Sequence, residues 1–347
     1  MRRFIFFFLV VGLLGACSST ATAPSFELSM TAGSYYHGVY PGSDTGDESD
    51  ISLAHLQSYE TLAGRKAAWV YFSNEWYKSR AFPWATAKWI RETGSLPFIR
   101  LMLRSSPEIS VEETTFSLER IVAGELDDDL RAWGKAAANF GTPLIVEWGG
   151  EMNGYWFHWN AYWHGKEAGT ELYKQAYRHI VETMRGEGAS NITWVFHVNG
   201  DDDPSAAWNR FENYYPGHDV INWIGISMYS AQTPYDSYWT NFRTSMDALM
   251  PRLDAMSDGK PVFLIELGAP AYNALGRSVD WVDGALGDIL ANRWDTLRGF
   301  SWWNEAWAND TNPAHDTDMR LETVPGLAEV FQRRLATPRV LERFTFE

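Results

Sequence analysis

Two glutamates in this chain stand where apolar runs end. Pro143-Leu144-Ile145-Val146 leads through Glu147-Trp148-Gly149-Gly150 to Glu151, and Pro261-Val262-Phe263-Leu264-Ile265 leads directly to Glu266. A carboxylate at the half-buried end of a strand is costly unless it is solvated or used. Two of them facing each other can cleave a glycosidic bond with retention. One protonates the leaving oxygen and later activates water, the other attacks the anomeric carbon, and roughly 5 to 5.5 Å separates them. Either glutamate could instead cap a helix or pair with an arginine. Glu147 is ambiguous in the same way: it could raise the pKa of Glu151 by like-charge proximity, or turn into the interior and pair with Arg100 or Arg104. The ion pair is the favoured reading.

Such side chains need a scaffold that brings strand ends together. Eight apolar runs alternate with helix-like segments: 35–40, 67–72, 97–103, 143–148, 192–197, 223–228, 261–266 and 298–303. Between them Leu126, Leu130, Trp133, Ala137 and Phe140 recur at helical spacing after the acidic start Asp127-Asp128-Asp129, and Gly141 can stop that helix. The pattern predicts a single (β/α)8 barrel, α/β in class, whose active site lies at the carboxyl ends of the strands. A doubly wound open sheet is the alternative, but its usual phosphate-binding glycine motifs are missing.

Composition bounds the partners. The 347 residues carry 29 Lys plus Arg against 44 Asp plus Glu, which argues against nucleic acid, whose affinity rests on neutralising phosphates. The single cysteine excludes an intrachain disulfide and a cysteine metal cluster. It falls at Leu14-Gly15-Ala16-Cys17, after Arg2, Arg3 and an apolar run over 4–14 too short to span a bilayer. This resembles a bacterial lipoprotein signal. The expected layout is a signal peptide over 1–16, a tether over 17–24 lipidated at Cys17, and one catalytic domain over 25–347. Export and anchoring in the cell envelope follow, with Ser18 pointing to the outer membrane, and the lipid is the only membrane contact expected. The aromatic content, 18 Trp, 16 Tyr and 19 Phe, calls for an aromatic core or for rings that stack on an apolar ligand face.

Glu151-Met152-Asn153-Gly154-Tyr155-Trp156-Phe157-His158-Trp159 resembles the acid/base segment of glycoside hydrolase family 26, best known for retaining β-mannanases. Tyr214 to Gly217 followed by Val220 to Tyr229 resembles the family's sixth strand, Pro261 to Gly268 its seventh and Phe300 to Asn304 its eighth. The resemblance implies Glu151 as acid/base, Glu266 as nucleophile, Tyr229 orienting the nucleophile, and Trp156 and Trp302 shaping the sugar site. Mannanases of the family usually carry His directly before the acid/base and Arg four residues before it, where this chain has Gly150 and Glu147. The implied substrate is a β-linked polysaccharide of the mannan, mixed-linkage β-glucan or β-1,3-xylan class.

Asn153, Trp159, Trp303, His37 and His197 follow or end predicted strands and are further candidates for sugar contact. No metal is expected, since His158 and His164 have no third ligand at a convincing spacing. No cofactor is expected either, and the chain is read as a monomer. A carbohydrate-binding lipoprotein without turnover and a hydrolase that remodels an exopolysaccharide are the rival readings.

Overall fold

All eight apolar runs become strands of one sheet in the computed structural model, which describes residues 28–271 and 273–346. The strands are β1 (Tyr35–Tyr40), β2 (Trp69–Glu75), β3 (Leu96–Met102), β4 (Leu144–Trp148), β5 (Ile192–Asn199), β6 (Trp223–Tyr229), β7 (Val262–Gly268) and β8 (Leu297–Trp303). Each pairs in parallel with the next, and β1 pairs with β8 from Tyr36 opposite Gly299 to Tyr40 opposite Trp303. That last pairing closes the barrel. The signal, tether and lipidation site at Cys17 lie outside the described residues.

Helices α1 (Leu53–Ala63), α2 (Trp84–Thr93), α3 (Leu118–Val122), α4 (Asp127–Phe140), α5 (Glu167–Gly186), α6 (Phe242–Ser257), α7 (Ser278–Leu290) and α8 (Leu327–Leu335) surround it. The expected stripe of α4 is buried at Leu130, Trp133, Ala137 and Phe140, and Gly141 ends the helix at φ 71°. The β5–β6 crossover departs from the expected alternation. It holds only two 3₁₀ turns, Ala207–Asn209 and Phe211–Tyr214. Its sequence, Asp201-Asp202-Asp203-Pro204 onward, has no apolar stripe of helical period. Polar ties hold it instead: Arg252 of α6 reaches Asp202 and Glu212, each at 2.8 Å.

The barrel floor is aromatic. Trp69 fills the space that a side chain at Gly38 would need, Trp223 stacks on Phe263 at 4.2 Å, and Phe344 stacks on Tyr36 at 3.9 Å. Trp69, Trp133, Trp148, Trp159, Trp194 and Trp302 are all fully buried. Much of the tryptophan excess therefore packs the fold, and a smaller share than the sequence suggested reaches the cleft.

Candidate functional site

Strand β4 points Glu147 into the barrel, and the chain then turns sharply. Gly149 has φ 62°, and Glu151 itself has φ 51°, a left-handed conformation that residues with a Cβ seldom adopt. The turn lifts Glu151 above Glu147, and its amide donates to the His197 carbonyl at 2.9 Å. Glu266 arrives from the other side by a different device. Pairing of β6 with β7 runs Ile226 opposite Leu264 and then Ser227 opposite Glu266, so Ile265 is an extra residue in β7. Ile265 points at Gly225 inside the barrel. Simple alternation would therefore send Glu266 outward, and the bulge brings it into the mouth.

The two carboxylates meet. Glu151, Glu266 and His197 each bring one oxygen or ring nitrogen to within 4.8 Å of the others. Glu266 accepts a hydrogen bond from the Tyr229 hydroxyl at 2.7 Å, and Glu151 accepts one from the Trp156 indole at 3.0 Å. Arg100, buried on β3, lies among the acids: Nη1 is 3.4 Å from Glu266 and 3.3 Å from Glu48, Nη2 is 3.9 Å from Glu151, and Nε is 3.5 Å from Glu147. Glu147 thus forms the ion pair favoured from sequence, while Arg104 pairs with Glu75 at 2.7 Å. Glu147 also accepts from Tyr71 at 2.5 Å and faces His197 at 2.9 Å.

Four carboxylates share the Arg100 guanidinium here, and two of them, Glu266 and Glu147, are shifted in opposite directions. Burial first, and the Glu151 carboxylate second, push Glu266 up to about 7, against the opposing charges of Arg100 and His197. Burial would also raise Glu147, yet His197 and Arg100 hold it below the usual carboxylate range. Although Glu151, His197 and Glu266 are of metal-ligand type, the fixed guanidinium of Arg100 would stand beside any cation placed between them.

Of the residues singled out in the sequence, Glu151, Glu266, Trp156, Tyr229 and Trp303 gather at the mouth. Trp303 packs on Tyr40 and Tyr71 at 4.3 and 5.5 Å. Four others do not face it. Trp302, next along β8, points outward, donates to the Met319 carbonyl and packs on Phe331 of α8 at 5.2 Å, so Trp303 is the ring that β8 turns inward. His37 is likewise on the outer face of β1, bonded to Tyr59 of α1 at 2.7 Å, and burial pushes its imidazole down to about 3. Trp159 is buried with its indole on the Gly150 carbonyl. The Asn153 amide is used on Asn199, Asp201 and Asp202. These last two side chains knit the loop and leave no polar atom for sugar. His197 lies beneath the carboxylate pair with no exposed surface, so it is out of reach of a sugar hydroxyl.

Glu48, Tyr71 and Ser227 were not foreseen. Glu48 sits in the loop after β1 with no motif around it, whereas Tyr71 and Ser227 are legible only once strand parity is known.

Comparison with known proteins agrees with this fold. Endoglucanase H of Acetivibrio thermocellus is 25% identical over 327 residues, 93% of this chain and 32% of its own length. A β-1,3-xylanase of a Vibrio species is 23% identical over 250 residues, 65% of this chain and 50% of its own. The chain thus spans a third to a half of the length of these relatives. A β-mannanase of Bacteroides ovatus shares the fold at a TM-score of 0.61 and 15% identity, covering 89% of this chain and 90% of that one. Residues 110–257 match the model of glycosyl hydrolase family 26, a stretch that holds Glu147, Glu151 and the loop bearing Trp156 but stops short of Glu266.

Proposed function

We propose that this chain is a retaining hydrolase of β-linked polysaccharide, of the mannan, mixed-linkage β-glucan or β-1,3-xylan class. The observation that carries the reading is the approach of one carboxylate oxygen of Glu151 to within 4.8 Å of one of Glu266, which fits the short spacing of a double displacement better than the wider spacing of an inverting pair. Glu151 donates its proton to the leaving oxygen as Glu266 attacks the anomeric carbon, forming a glycosyl-enzyme ester. Glu151 then takes a proton from water, the water oxygen bonds to the anomeric carbon, and Glu266 leaves as carboxylate. Tyr229 holds the attacking carboxylate by its hydroxyl. The names of the relatives, an endoglucanase and a β-1,3-xylanase, favour internal cleavage of a β-glycan. We further infer export as a monomeric lipoprotein anchored through Cys17, in keeping with the lipobox-like run before it. A reducing-sugar screen of residues 25–347 against these glycans, with the anomer of the first product followed by NMR, tests the function. Binding without cleavage would instead support the carbohydrate-binding reading, and an inverted first product would refute the pairing.

The pH behaviour follows from Glu266. Attack requires the ionised carboxylate, so kcat/KM rises with pH through about 7 rather than through the ordinary carboxylate range near 4.5. The same group acts on stability in the opposite sense. Its folded pKa is raised, so its contribution is fully present below pH 4.5 and is lost as pH climbs through about 7. Activity and this part of the stability therefore cross over the same interval, as paired rate and urea-denaturation series would show.

A row of rings leads away from Glu151. Tyr155 and Tyr162 are exposed, Tyr155 meets Trp156 at 6.2 Å and Tyr162 at 6.5 Å, and Trp163 follows at 5.2 Å from Tyr162. A pyranose presents a C–H face that stacks on such rings. Replacing Tyr155 and Tyr162 together by Ala is expected to raise KM about tenfold for long oligosaccharides and to leave kcat within about twofold, the signature of lost uniform binding. An equal rise for short substrates would place these rings outside the substrate path.

A further inference from the structure

Besides the guanidinium of Arg100, His197 is a charge-capable side chain near both carboxylates that the two-step reaction leaves without a part. It has no exposed surface, and one ring nitrogen lies within 4.8 Å of an oxygen of both Glu151 and Glu266. Three neighbours fix the ring. On β6 the Ser227 hydroxyl meets Nε2 at 2.7 Å, and on β4 Glu147 Oε2 faces Nδ1 at 2.9 Å. From above, the turn before Glu151 passes so close that a Cβ at Gly150 would stand 2.8 Å from Nδ1. Glycine is therefore required at 150 by the position of the ring. His197 also holds Glu151 through its backbone, since its carbonyl accepts the Glu151 amide.

We propose that His197 is a positioning residue for the glutamate pair: held between Glu147 and Ser227, it favours the ionised form of Glu266 from below and sets the height of Glu151. The inference rests on the hydrolase reading above. A ring kept for packing alone needs neither charged partner nor exclusion of a side chain at 150. The groups that face it are Glu147 on β4, Ser227 on β6, Glu266 on β7 and Glu151 on the loop, with Arg100 of β3 paired to the same three acids. Burial works to neutralise the imidazole, and the carboxylates of Glu147, Glu266 and Glu151 together outweigh it and hold the ring above its ordinary pKa. Losing that positive charge removes an attraction that lowers the pKa of Glu266.

The test uses the full chain and two readouts. In His197→Gln, the Glu266 carboxyl, followed by carbon-13 NMR titration, should titrate about 1 pH unit higher, and the acid limb of kcat/KM should move with it. At pH 6 the rate would then fall about tenfold. Glu147→Gln, which removes one of the charges that keep the ring protonated, should shift both in the same direction. Loss of thermal stability with neither shift would overturn the proposal. Should both variants fail to fold, nitrogen-15 NMR of the wild-type imidazole decides: an imidazolium at pH 7 supports it, and a ring already neutral at pH 6 overturns it. A Glu266 shift in a protein that cleaves no glycan would uphold the role of His197 and sink the hydrolase reading alone.

Discussion

Glu266→Ala is expected to lower turnover on the order of 10⁴-fold while leaving oligosaccharide binding measurable. The reason is the division of labour at the mouth. On the proposed reading Glu266 is the group that bonds to the anomeric carbon, whereas the exposed rings near Trp156 and the rest of the cleft would hold the sugar without it. The variant also loses one carboxylate from a crowded set, so its stability at neutral pH should hold or rise, since Glu266 ionises there against burial and the charge of Glu151. Calorimetry for binding, steady-state rates for turnover and urea denaturation for stability separate these effects. Rates within about tenfold of wild type would exclude Glu266 as nucleophile.

The second large effect is structural. Arg100 is 4% exposed and compensates Glu147, Glu266, Glu48 and Glu151 at once. Arg100→Met removes one charge and strands several, so it should cost about 3–5 kcal/mol of folding stability, readable as a lower urea midpoint. The acid limb of any surviving activity should also move to higher pH, because a cation that lowers the pKa of Glu266 is gone. Glu147→Gln in the Arg100→Met background should recover part of the loss, since the pair is then removed together. A midpoint unchanged by Arg100→Met would mean that water, and not the guanidinium, solvates these acids.

The sequence carried the barrel because its signal is repetitive: eight apolar runs, each ending in turn residues or functional side chains, all became strands. Glu151 and Glu266 were legible for the same reason, each standing out as a charge at the end of an apolar run. Parity within a strand was not legible. Barrel strands are buried on both faces and read as continuous apolar runs, so Trp302 and Trp303, or His37 and its neighbours, cannot be sorted into inside and outside by alternation. The bulge at Ile265 shows how far this goes, since it reverses the parity of the residue that matters most. The β5–β6 crossover failed differently. Its polar ties to Asn153 and Arg252 join residues 49 and 50 positions apart, which no local window contains.

The left-handed backbone of Glu151 sets a tension at the heart of the cleft. A residue with a Cβ pays roughly 1–2 kcal/mol to stand there, and glycine would stand there freely. On the hydrolase reading, the most stable sequence for this turn is therefore an inactive one. If that reading holds, lineages that stop meeting the glycan would drift toward it by a single substitution, gaining robustness as they lose turnover, and the identity of residue 151 would mark whether a descendant of this chain is still under selection as an enzyme.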